Sequence, residues 1–185
     1  TLEIGKNICD DFVAACDRRC PGQKTTLSVI DLAEFANTVP KQLSAFSNSV
    51  SAKMEAQAYQ EVSNARNNTR EFAVSSKIDQ VDLVDLAINM DTAEGNRLPE
   101  GIQNAVKDNR TSRNMTNAYG VSIFFPYKRT SYVDNACSTY QQINMDQSYI
   151  KCIRQFASLE TSGQIAAGGS SSPLDSLFGN MTSGS

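Results

Sequence analysis

Histidine and tryptophan are absent from these 185 residues, and aromatic side chains make up only 8% of them. The missing histidine excludes the most. Imidazole is the usual general base near neutral pH and the commonest metal ligand, so no Ser-His-Asp or Cys-His arrangement can be assembled from this chain alone. Chemistry confined to these residues would have to run on carboxylates, lysines or a lone thiol. Long hydrophobic runs are missing too. No stretch approaches the roughly 20 apolar residues that a membrane-spanning helix requires, so no membrane span is expected. Residues 1–30 lack the basic-then-apolar order of a secretory signal, so any export signal is expected to lie upstream or not to exist. The 17 basic and 20 acidic side chains are interspersed and leave a net charge of -3, with no electropositive stripe for nucleic acid or anionic lipid.

What is present fits one domain followed by a tail. Ile4, Ile8, Phe12 and Ala15 recur at helical spacing until Pro21-Gly22, which predicts an amphipathic helix and a turn. Thr25 to Ile30 is short and β-branched, and reads as a buried strand inside a sheet. Asp31 with Glu34 starts a helix carrying Leu32, Phe35, Val39, Leu43, Phe46 and Val50, with a kink or break expected at Pro40. A further helical run covers about 51–67. Asp79 is the expected cap of another, which includes Val81, Val84 and Leu86. A short helix is expected over about 99–107, and a polar loop over 108–117. Gly120-Val121-Ser122-Ile123-Phe124-Phe125-Pro126 is the strongest strand signal. Apolar residues from Tyr132 to Leu159 predict closing helices, and the helices together read as the outer layer of a sheet. From Thr161 the chain turns Gly/Ser-rich around one apolar island of Leu174, Leu177 and Phe178, and reads as a mobile tail.

Few constellations carry chemistry. Cys9, Cys16 and Cys20 cluster near one helix, but they lack a C-x-x-C knuckle and a local fourth ligand, so Cys9 and Cys16 read as small core residues and Cys20 as exposed. Five cysteines cannot all pair within the chain. Cys137 and Cys152 have no basic partner close in sequence and do not read as activated nucleophiles. Asp79, Asp82 and Asp85, spaced by three, could share a helix edge and bind a hard cation. The plainer reading is a solvent-facing helix cap. Asn-x-Ser/Thr triplets begin at Asn67, Asn109, Asn114 and Asn180 and have meaning only in a secreted eukaryotic protein.

Four segments occur in an order and spacing that resembles the clostripain family of cysteine peptidases. They are Thr26-Leu27-Ser28-Val29-Ile30-Asp31-Leu32, Ala65-Arg66 with Arg70-Glu71-Phe72, Asp79-Gln80-Val81-Asp82-Leu83-Val84-Asp85-Leu86, and Ala118-Tyr119-Gly120 through Phe125-Pro126-Tyr127. The resemblance covers roughly residues 1–160 and implies an α/β protein: the C-terminal part of a caspase-like α/β/α sandwich, helix-rich, with a disordered Gly/Ser tail over 161–185. It further implies a bacterial, secreted or envelope-associated endopeptidase that cleaves after basic residues, mainly arginine, in protein or peptide substrates. Some members of the family depend on calcium, and many are activated by cleavage into two chains.

The family's catalytic histidine and cysteine lie upstream of the region resembled here. Asn135-Ala136-Cys137 echoes the Asp-Ala-Cys type motif but follows the last recognisable strand, so no catalytic, substrate-binding or metal residue is carried over. The expectation is a supporting fragment whose partner is the upstream catalytic part, requiring no cofactor of its own. The alternative is a stand-alone, non-catalytic α/β protein-binding module.

Overall fold

In a computed structural model, which describes residues 1–163, the core is organised by one long helix. Asp31 caps it, its Oδ1 accepting the N–H groups of Ala33 and Glu34 at 3.0 and 3.1 Å. The order of elements is α1 (Leu2–Arg19), β1 (Thr26–Ile30), α2 (Leu32–Glu55), α3 (Tyr59–Asn68), β2 (Glu71–Phe72), β3 (Gln80–Asp82), α4 (Leu83–Met90), α5 (Leu98–Ala105), β4 (Val106–Thr111), β5 (Ser122–Phe124), α6 (Val133–Gln142) and α7 (Gln147–Thr161). The fold is mixed α/β and mostly helical. None of these helices is long and apolar enough to cross a membrane.

Helix α2 runs through Pro40 without breaking. Its buried stripe of Val39, Leu43, Phe46, Val50 and Met54 packs against α5 and α7. Burying five such side chains at about 1.5–3 kcal/mol each outweighs the roughly 3 kcal/mol that an interior proline costs. The chain breaks instead at Gln57, which sits at φ 65 and separates α2 from α3. The helical run expected over 51–67 is therefore the end of one helix and the whole of another.

The strands form two small sheets, and every pairing is antiparallel. One is a ribbon of β1 and β4; the other has the order β2-β3-β5. Two expectations fail here. The β1 strand is half-buried and bonded along one edge only, not enclosed in a sheet. Residues 106–111, expected in part as loop, form β4. Their polar sequence suits an edge strand, with Arg110 reaching Asp10 of α1 at 2.5 Å and Asp108 at 3.1 Å. The expected outer layer of helices is in fact the bulk of the core, since α5 and α7 both pack on α2 and the sheets are small.

Helix α1 also departs from expectation. It faces the ribbon with Gly5 and Cys9, while Ile4, Ile8 and Phe12 are 64%, 56% and 39% exposed. A Cβ at Gly5 would lie 2.9 Å from Val29 Cγ2, so the close approach of helix to strand depends on the glycine. Residues 164–185, including the tail's apolar island and Asn180, lie outside the described residues.

Candidate functional site

The densest polar constellation forms around Arg66, which α3 carries into the interior. The side chain is 1% exposed. Its Nε donates to the carbonyl of Phe125 at 3.1 Å and its Nη1 to Glu71 at 3.3 Å, while Nη2 lies 3.6 Å from Asp79. The guanidinium sits 5.0 Å over the ring of Tyr127. Glu71 spends its other oxygen on Lys128 Nζ at 2.9 Å. Burial weakens the hold of Arg66 on its proton, and the charges of Glu71 and Asp79 oppose that shift. A guanidinium so placed remains a cation and acts as a fixed fork.

Asp79, Asp82 and Asp85 do not face solvent; they are 0%, 0% and 5% exposed. A spacing of three shares one edge only within a single helix, whereas β3 ends at Asp82 and only Asp85 lies within α4. Asp79, at φ 53, accepts the N–H groups of Tyr127, Lys128 and Arg129 at 3.0–3.1 Å. Asp82, not Asp79, is the cap of α4. It accepts from Val84 and Asp85 at 3.0 Å and from Tyr119 at 2.7 Å. Burial pushes Asp82 up to about 6 against the pull of those same donors. Asp85 accepts the N–H of Arg70 at 2.6 Å and is also raised by burial. Backbone donors thus occupy each carboxylate at a different place, and no cluster of three or more metal-ligating side chains occurs among the described residues.

Arg66, Arg70, Glu71, Asp79, Asp82 and Asp85 therefore lock the chain around Tyr119 and Phe125–Tyr127 into one network. Three of the four segments that carry the family resemblance meet in it. The first, at β1, stands apart in the ribbon. What the network does chemically is fix backbone, because its carboxylates accept N–H groups of the chain itself.

Sequence reasoning missed Glu160. It lies in the last turn of α7, and neither carboxyl oxygen has a hydrogen-bond partner. Burial, reinforced by Asp79 and opposed by Arg66, pushes it up to about 7. Arg66 Nη2 is likewise without a hydrogen bond. The signal was available: Ile153, Phe156, Ala157 and Glu160 are spaced as one helical stripe, which places a carboxyl on an apolar face.

The cysteines are free and scattered. Cys9 is buried, Cys16 half-buried and Cys20 exposed. Burial raises the Cys9 thiol and pushes Cys152 up to about 12, the reverse of what a nucleophile needs. Cys137 is sealed at 0% exposure, away from any thiol-activating imidazole, of which the chain has none. Of the glycosylation-type triplets, Asn67 and Asn114 are exposed, whereas Asn109 binds Ser28 and the carbonyl of Ala118 at 2.8 Å each. No family model, no curated protein and no solved structure matches this chain.

Proposed function

We propose that this chain is the C-terminal portion of a clostripain-like cysteine endopeptidase, secreted or envelope-associated in a bacterium, that cleaves after basic residues, mainly arginine. In this reading it belongs to a caspase-like α/β/α sandwich and braces an active site whose histidine and cysteine come from upstream sequence. The observation that carries the reading is the interlocking of the resembling segments. Residues that match in order along the chain also depend on one another in space, through Arg66, Asp79 and Asp82. Motifs of that kind maintain architecture. The open edge of β1 and the uncovered apolar face of α1 are the surfaces to which upstream strands and helices would attach.

Selectivity for arginine would rest on a carboxylate that pairs with the guanidinium of the substrate. That carboxylate is assigned upstream, because the buried acids here are filled by backbone donors. The same argument applies to calcium: Asp79, Asp82 and Asp85 do not fit a calcium ion, and no step is routed through one.

The test has two parts. The coding sequence upstream of Thr1 should encode a histidine followed by an Asp-Ala-Cys-like motif, each after an apolar strand. The chain joined to that upstream part should hydrolyse arginyl peptides, while the isolated chain should not. Hydrolysis by the isolated chain would overturn the reading, as would an upstream sequence without the dyad. The second result would leave a non-catalytic binding module.

A further inference from the structure

A cavity of about 330 Å³ opens between the segment that enters β3 and helix α6. Its walls are largely apolar and aromatic, with Ile78, Phe124, Tyr132 and Tyr140, and its rim carries Lys77 and Arg129. Both cations are exposed, and neither has a carboxylate partner among the described residues. Arg129 instead stacks 5.2 Å over the Tyr132 ring and touches its hydroxyl at 3.3 Å. The segment that presents Lys77 is strained. Ala73, Lys77 and Asp79 all sit at positive φ, between 47 and 53, where L residues are strained. Asp79 sustains that strain by clamping the N–H groups of residues 127–129, which holds the two cations on the same rim.

We propose that this cavity is the docking site for the chain's own segment from Leu174 to Phe178. Asp175 is the sole charged side chain between Gln164 and Ser185, and it lies within the tail's cluster of large apolar residues, Leu174, Leu177 and Phe178. One carboxylate beside three apolar side chains complements two cations beside an aromatic pocket. The tail also starts in the right place. Glu160 of the last turn of α7 lies close enough to Asp79, on the cavity wall, for their charges to act on each other, and α7 packs on the Thr130–Tyr132 turn of the same wall. Residues 164–173 span up to about 35 Å when extended. This inference stands apart from the peptidase reading.

The absence of tryptophan supplies the probe. In the full 185-residue chain, Phe178→Trp should give blue-shifted emission shielded from acrylamide, independent of protein concentration. Adding Lys77→Glu with Arg129→Glu should lower the docked-to-free ratio by about tenfold, as should high salt, since two exposed ion pairs are removed or screened. Asp175→Lys should act alike without touching the described fold, and combining it with the two rim reversals should restore shielding. A synthetic peptide covering residues 172–180 should displace the introduced tryptophan. Solvent-like emission in the parent variant overturns the proposal. So does shielding that ignores all three charge changes, which would place the segment elsewhere, for example on α1. Shielding that grows with concentration would assign the cavity to a second copy and overturn the intrachain site.

Discussion

The two ends of the molecule solve the problem of burial in opposite ways. Around α2, α3 and α7, charged side chains go inside, and backbone N–H groups and partner charges meet nearly all of them. Around α1 and the β1–β4 ribbon, small residues go inside while large apolar ones face out. Gly5 and Cys9 allow the helix to approach Val29 closely, but they leave Ile4, Ile8 and Phe12 in water. The first end is complete in itself. The second has the form of a surface that expects a neighbour, because a five-residue strand bonded on one edge buries little area of its own. The contrast locates where the chain's stability resides.

Replacing the centre of the complete end should have the largest effect. Arg66→Met removes the cation that faces Asp79 and Glu71 and the donor to the Phe125 carbonyl, leaving buried acceptors without a partner. Breaking a buried pair from one side costs about 3–5 kcal/mol, to be read as a drop in the urea midpoint. A loss below about 1 kcal/mol would mean that the network is not what holds this end together.

Glu160 tests the same end with a smaller effect of opposite sign. Its pKa rises from an ordinary 4.5 to about 7 on folding, so between those values the folded state binds more protons than the unfolded one. Stability therefore falls as pH rises across that window, by at most about 3 kcal/mol. Asp82, raised from 3.8 to about 6, adds a slope of the same sign at lower pH. Glu160→Gln keeps the shape of the neutral acid and removes one slope. The variant should match the parent near pH 4 and exceed it by about 1–3 kcal/mol at pH 8. Equal stability at both pH values would show that the carboxyl is solvated in solution.

Asp31 joins the two ends, since it follows β1, caps α2 and donates its N–H to the carbonyl of Ala105 at 2.8 Å. Asp31→Ala should cost about 1 kcal/mol by loss of the cap. This is also where the sequence was easiest to read. The Asp31 cap, the stripe of α2, the stop after Arg19 and the strand before Pro126 all depend on local spacing and turn chemistry, which a sequence displays directly. The failures share another cause. That Asp79 would clamp residues 127–129, that Asp82 would cap α4, and that Lys107 to Thr111 would pair as a strand all depend on partners distant in the chain. The stripe of α1 was legible as a stripe, but spacing says nothing of which face meets the ribbon. The place of Glu160 on an apolar stripe was legible, but its burial was not, because a lone acid on such a stripe also occurs at a helix end facing water.

The smallest expected effect on stability belongs to that stripe, and it is the sharpest test of the contrast. If Ile4, Ile8 and Phe12 are as exposed in solution as in the structure, Ile4→Ser, Ile8→Ser and Phe12→Ser each remove little buried area. Each should shift stability by no more than about 0.5 kcal/mol, the usual range for surface positions. Self-association of the triple variant, followed by sedimentation, should fall, because an exposed apolar face is the feature that draws copies together. The same triple change in a chain carrying the upstream part should cost several times more, since the proposed neighbour would then cover the stripe. A large loss in the isolated chain would mean that α1 turns its apolar side inward, and the two ends of the molecule would no longer differ in kind.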